Sequence, residues 1–204
     1  MIRESPVDSA LNRLSAHFGA RVVVHPPAPV DTLAQLEHVA GPLPRELIIF
    51  LSTCNGLRVH ADGRDSELHL WGSQEILSSV VGPLGPGVLM DLLPVRGDPT
   101  GERDWLVMGH GPAGGALVRW DPWVPGCEII ASGFGTYVDG WVNYLLERYT
   151  ADGKDRYSGE HNLMFDLRHL ESHDVALGPL RRDPRVSDWL RNINQAVACG
   201  DDYE

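Results

Sequence analysis

Between residues 92 and 132 the chain alternates short apolar runs with segments that cannot extend a strand, and this alternation restricts the fold more than any other feature. The runs are "LLPV" (92–95), "DWLVM" (104–108), "ALVRW" (116–120) and "CEIIAS" (127–132). Between them lie "RGDPTGE", "GHGPAGG" and "DPWVPG", rich in the Gly, Pro and Asp that turns require. Such spacing predicts an antiparallel β-meander. Two more β-like runs flank the Asp62-Gly63 turn signal in "LRVHADGRDSELHLWG". "RVVVH" (21–25) reads as a short strand that the Pro-rich "PPAPV" brings to an end.

Helical periodicity brackets these strands. In "SPVDSALNRLSAHFGA", Ser5 caps, Pro6 suits the first turn, and Asp8 completes an S-x-x-D box. Val7, Leu11, Leu14 and Phe18 then form one stripe. "DTLAQLEHVAG" is a second helix with Leu33, Leu36 and Val39 inward and Gly41 as its stop. "SQEILSSVVG" is a short helix capped by Ser73. Phe134, Val138, Trp141 and Leu145 mark a strong helix over 133–149, widened by Tyr137 and Tyr144. Beyond Tyr149 the polar "TADGKDRYSGEHN" suggests a boundary near residue 150, which divides the chain into 1–150 and a helical extension, 151–204. In that extension Asp183 caps and Pro184 starts a helix whose stripe is Val186, Leu190, Ile193 and Val197. The stripe must pack either on the main domain or on another subunit.

The 204 residues carry 17 Lys and Arg against 28 Asp and Glu, a formal net charge of -11. This balance repels nucleic-acid phosphates and suits a basic protein partner, or else only keeps the protein soluble. No apolar stretch is long enough to span a bilayer, and the acidic N-terminus does not resemble a signal peptide. Cys54, Cys127 and Cys199 stand far apart, without a C-x-x-C pair or a disulfide framework, as in a reducing cytoplasm. The expectation is a soluble, cytoplasmic protein.

The search for catalytic chemistry finds little. "GHGPAG" (109–114) matches G-x-G-x-x-G, but a β-like run follows where the dinucleotide fingerprint needs a helix N-terminus. His169 and His173 share a face if helical, with His161 nearby, so they form either a metal site or a solvated face. The residue after His169 is Leu170, which breaks the H-E-x-x-H pattern. "DGRDSE" (62–67) lacks the ligand order of a calcium loop and reads as an acidic turn. No catalytic, cofactor-binding or metal residue is assigned, no cofactor is expected, and the chain is not read as an enzyme.

One more stretch, "LPRELIIFLSTCNG" (43–56), reads as a core helix. Pro44 suits its first turn, so Cys54 falls in the last turn, where the helix dipole opposes a thiolate. Leu47, Leu51 and Cys54 share one face, and Asn55-Gly56 reads as the helix stop rather than a hairpin. This segment resembles the signature of the SUKH superfamily, the Smi/Knr-type domain, through Leu43, Pro44, Phe50, Leu51, Asn55 and Gly56. Leu47 stands where that family commonly has an aromatic. "LLPVRGDPTGERDWLVM", with Pro94, Asp98 and Gly101, is similar to the family's next turn and strand. "GALVRWD" resembles a further strand ending in Trp120-Asp121. "IIASGFGTYVDGWVNYLLE" resembles the closing Ser-Phe helix, although Gly133 separates Ser132 from Phe134.

The resemblance spans about residues 30–149 and implies an α+β fold, a single mostly antiparallel sheet packed against helices, with the helical extension outside it. It also implies a non-catalytic protein-binding module. Bacterial members are typically immunity proteins that neutralise polymorphic toxins, often nucleases; fungal relatives are regulatory scaffolds. The expected partner is a basic toxin domain, with no nucleic acid and no membrane involved. Candidate contacts are the loop residues Asp62, Asp65, Glu67, Asp98, Glu102, Asp121 and Trp123, although Trp123 could equally be core and each carboxylate could serve solubility alone. The alternatives are a scaffold without a toxin partner, docking through its C-terminal helix, and a metal-dependent enzyme built on the histidine cluster.

Overall fold

The computed structural model describes residues 5–62, 68–81, 91–97, 101–121, 124–157 and 171–200. In order these form α1 (Pro6–Phe18), a 3-10 turn (Gly19–Arg21), β1 (Val22–Val24), α2 (Val30–Ala40), α3 (Arg45–Thr53), β2 (Leu57–Val59), β3 (His69–Leu70) and α4 (Ser73–Val81). The second half continues with β4 (Leu92–Gly97), β5 (Arg103–Val107), β6 (Leu117–Asp121), β7 (Val124–Ala131) and α5 (Phe134–Arg148). Two further helices follow, α6 (Leu177–Arg182) and α7 (Pro184–Gly200).

The class is α+β, but the expected single sheet is two. One is three-stranded in the order β1-β2-β3 and the other four-stranded in the order β4-β5-β6-β7, and both are antiparallel. The reason lies at their junction. β3 lasts two residues before the chain turns into α4. The register of β4 against β5 slips between Pro94 and Arg96, where Pro94 has no N–H to donate. The carbonyl of Val95, left out of the ladder by this bulge, accepts from the Trp71 N–H at 3.2 Å. Among the described residues one backbone bond therefore joins the sheets where a continuous ladder would need several. The Trp71 ring packs so closely on Gly97 that a Cβ there would come within 2.8 Å of it.

The four-stranded sheet is buried on both faces, which explains why its strands read as nearly continuous apolar runs. Leu93, Val95, Leu106, Leu117 and Ile130 face the main core, shared with α1, α3, α5 and the three-stranded sheet. Leu92, Trp105, Val107, Val118 and Ile129 face a second core closed by Leu177 of α6 and Val186 of α7. The C-terminal stripe thus packs on this sheet: Val186 is buried, and Leu190 and Ile193 are half-buried. The side chain of Val197 lies outside the described residues. Asp183 caps α7 as expected, its Oδ1 accepting from the Arg185 N–H at 2.9 Å. Residues just past the expected boundary fold back onto the main body. The Arg148 guanidinium ion-pairs with Asp155 at 2.8 Å, and the Asp155 N–H donates to Asp62 at 3.2 Å.

Capping and helix faces follow the sequence except at Ser73, Val39 and Cys54. Ser5 caps α1 through the Asp8 N–H at 3.1 Å, as expected. Ser73 does not cap α4: its own N–H donates to Asn55 Oδ1 at 2.6 Å, and the Gly72 N–H donates to Glu75 at 2.9 Å. Val39 of α2 faces solvent, 44% exposed, so that helix buries Leu36 and half-buries Leu33. Asn55-Gly56 is not a hairpin, and α3 ends at Thr53 with Cys54 extended. The left-handed residue is Gly56, at φ 87, and a Cβ there would meet Gly72 N at 2.6 Å. The pair latches the end of α3 to the start of α4.

Candidate functional site

The resembled signature residues occupy packing and turning positions. Leu43, Phe50 and Leu51 are buried, and Pro44 immediately precedes α3. Pro94 sits at the β4 bulge, and Gly101 turns into β5 with φ 95. The Ser132 hydroxyl donates to buried Asp174 at 2.7 Å. Phe134 opens α5 and meets Phe50 edge-on at 5.4 Å between ring centroids. Trp120 is half-buried in β6. The Cys54 thiol, fully buried, is pushed up to about 12 by desolvation, so it holds essentially no thiolate at neutral pH. Burial likewise pushes Cys127 to about 11.

Inside the four-stranded sheet lies a charged cluster that the sequence reading did not single out. Asp104 of β5 is 0% exposed, between Arg96 of β4 and Arg119 of β6. Arg119 Nε and Nη2 donate to its two oxygens at 2.7 and 2.8 Å, the bidentate geometry that suits guanidinium to carboxylate. Arg96 Nη1 donates to Asp104 Oδ2 at 3.1 Å, and the Tyr137 hydroxyl of α5 donates to the same oxygen at 2.6 Å. Burial alone would raise the Asp104 pKa, but Arg119, Arg96 and the Tyr137 hydroxyl outweigh it and hold the carboxyl below its ordinary range. Desolvation and the Asp104 charge push Tyr137 well above its usual value, so it remains a donor.

Glu102 closes the cluster, 3.1 Å from Arg96 and 3.2 Å from Arg119, its side chain 13% exposed. Burial lifts its carboxyl above the usual range against the pull of both guanidiniums. The arrangement is internally matched, two cations to two carboxylates. It is built to hold strands in register rather than to abstract a proton.

The other expected contacts are placed as follows. Asp62 is exposed on the turn after β2, at φ 43, and accepts from the loop after α5. Glu102 immediately precedes β5 and is turned inward into the cluster above. Asp121 ends β6, with its side chain outside the described residues, and Asp65, Glu67, Asp98 and Trp123 lie outside them altogether. Of the histidines, His161 and His169 also lie outside; His173 is exposed, with Nδ1 3.3 Å from the Asn143 amide. Among the described residues no group of three His, Cys, Asp or Glu is arranged to hold a metal. "GHGPAG" is the turn between β5 and β6: the Gly115 N–H returns to the Val107 carbonyl at 2.8 Å, and a strand follows it.

No protein-family model and no curated protein matches the chain. Its site must therefore be read from its own geometry, and the sheet edges carry the clearest contrast. α6 and α7 close the β7 edge with side chains. The Asn194 amide accepts from the Cys127 N–H and donates to its carbonyl, and Arg181 Nε donates to the Ile129 carbonyl at 2.8 Å. Gly126, at φ 98, gives Asn194 room: a Cβ there would come within 3.0 Å of the amide. Among the described residues the β1 edge has no such cover. Val23 and Val24 are 39% and 46% exposed, two of the few large apolar side chains so placed among the described residues.

Sequence signals for these features existed. Asp104 lies in phase with Leu106, and Arg119 with Leu117, so both charges occupy core-facing strand positions. Charges at such positions demand partners. Asn194 had no comparable signal, because pairing with a distant strand edge leaves no local pattern.

Proposed function

We propose that the protein is a non-catalytic, cytoplasmic protein-binding module, an immunity protein of the SUKH type that occludes a cognate toxin. The observation that carries this reading is the place of the resembled residues: they set helix starts, turns and packing, as fold markers do. The net charge of -11 supports a basic partner, since opposite charge speeds encounter and favours the right orientation. Inhibition would be steric, by covering the toxin's substrate site, with a few buried contacts supplying most of the affinity. Among the described residues no helix is long and apolar enough to cross a membrane, which accords with that setting.

The test is co-expression with the product of the adjacent upstream reading frame. That product alone should arrest growth, and this protein should restore it. A harmless product, or toxicity that persists in its presence, would sink the immunity reading.

A further inference from the structure

The two sheets have four edges, and three of them are occupied. β3 and β4 meet through Trp71 and Val95, and β7 is closed by Asn194 and Arg181. The fourth is β1. Its ladder with β2 runs through Arg21, Val23 and His25: the His60 N–H donates to the Arg21 carbonyl at 3.0 Å and the His25 N–H to the Gly56 carbonyl at 3.1 Å. By the antiparallel alternation, the backbone groups of Val22 and Val24 point away from β2. The Val22 N–H is taken by the Gly19 carbonyl. The Val22 carbonyl, the Val24 N–H and the Val24 carbonyl have no hydrogen-bond partner among the described residues. Acceptor, donor and acceptor in that order match the backbone of another extended chain.

Two cations flank this edge. Arg21, at its start, donates only to the His60 carbonyl, at 3.4 Å, among the described residues. Arg58 is the cross-strand partner of Val23, and its buried Nε has no hydrogen-bond partner among the described residues. The Glu75 carboxylate, held by His69 at 3.2 Å, also feels the Arg58 charge, although no hydrogen bond joins the two among the described residues. Arg13, Arg148 and Arg185, by contrast, are ion-paired with Asp139, Asp155 and Asp183.

We propose that β1 docks an extended segment of a protein partner, which pairs along Val22–Val24, packs apolar side chains on Val23 and Val24, and directs a carboxylate to Arg21 and Arg58. This rests on the binding-module reading and names its surface; the local carboxylate is compatible with a partner that is basic overall. A second copy fits less well. With the Val22 N–H engaged, symmetric pairing leaves each strand one free donor, and each copy has a net charge of -11.

The probe is a capped synthetic peptide of roughly eight residues, alternating valine and threonine with one central glutamate, titrated into the isotope-labelled protein and followed by NMR. The expected result is that the largest shifts fall on the Val22–Val24 amides, that Val24 N–H exchange slows, and that a lysine in place of the glutamate weakens binding about fivefold. Val24→Pro, which removes the outward donor but no bond to β2, should abolish binding. N-methylating the peptide nitrogens that face β1 should do the same with the protein unaltered, so the test survives if the variant misfolds.

Absence of shifts at β1, or binding that both changes leave intact, overturns the proposal. Equal binding of the two peptides overturns the carboxylate assignment. A dimer that Val24→Pro dissociates overturns the choice of occupant. Each of these results leaves the toxin co-expression outcome, and with it the binding-module reading, standing or falling separately.

Discussion

β7 and β1 are both edge strands, yet the protein treats them in opposite ways. β7 belongs to a sheet buried on both faces, and helices supply an amide and a guanidinium to satisfy its outward backbone. β1 is three residues long, borders the smaller sheet, and meets solvent with exposed valines. An unpaired edge is a template for any extended chain, and folds normally blunt it with charges, bulges or coverage. Its short length, with Pro26-Pro27 just beyond, restricts what β1 can recruit. The difference teaches that, among the described residues, side chains close the edge of the four-stranded sheet and leave open the one beside Arg21 and Arg58.

Perturbations should separate the two regions, beginning with the closed one. Asp104→Ala should cost about 3–5 kcal/mol in chemical unfolding, because two buried guanidiniums lose one of their two shared counter-charges, the fully buried one. The same carboxyl governs acid behaviour. Its folded-state pKa is depressed, so its contribution is fully present above the unfolded value, roughly 3.9, and is lost as pH falls through the folded one. The urea midpoint of the wild type should therefore fall on acidification below about pH 4, and Asp104→Asn should flatten that component of the slope.

Gly126→Ala comes next, at about 1–3 kcal/mol, because alanine would adopt a φ of 98 beside the Asn194 amide. Asn194→Ala should cost about 1 kcal/mol and speed exchange of the Cys127 amide selectively. At the open edge, Val24→Thr should change stability by less than about 0.5 kcal/mol, since the residue is exposed and its outward groups are unpaired. A large loss there would mean that β1 is covered after all.

Much of this architecture can be read from residue patterns. The meander followed from apolar runs punctuated by turns, and α1, α5 and α7 from apolar periodicity, with Ser5 and Asp183 as caps. Those signals are local. The division into two sheets depends on which edges meet in space, and only the bulge at Pro94 hinted at it. Ser73 misled because an Asn-Gly distant in sequence reaches α4 first. Of the candidate site, Glu102 read as an exposed loop carboxylate but is drawn inward by Arg96 and Arg119, which sit on neighbouring strands. The exposed valines of β1 carried a strand signal but none of edge position, which depends on tertiary pairing.

Hydrogen exchange of the free protein, resolved by residue, tests the contrast between edges most directly. The Cys127 amide, held by Asn194, should exchange on the order of a thousandfold more slowly than an unstructured amide, as an opening free energy of about 4 kcal/mol would give. The Val24 amide, turned outward from β2, should exchange near the unstructured rate. Strong protection of Val24 in the free protein, or fast exchange at Cys127, would contradict this account of the edges.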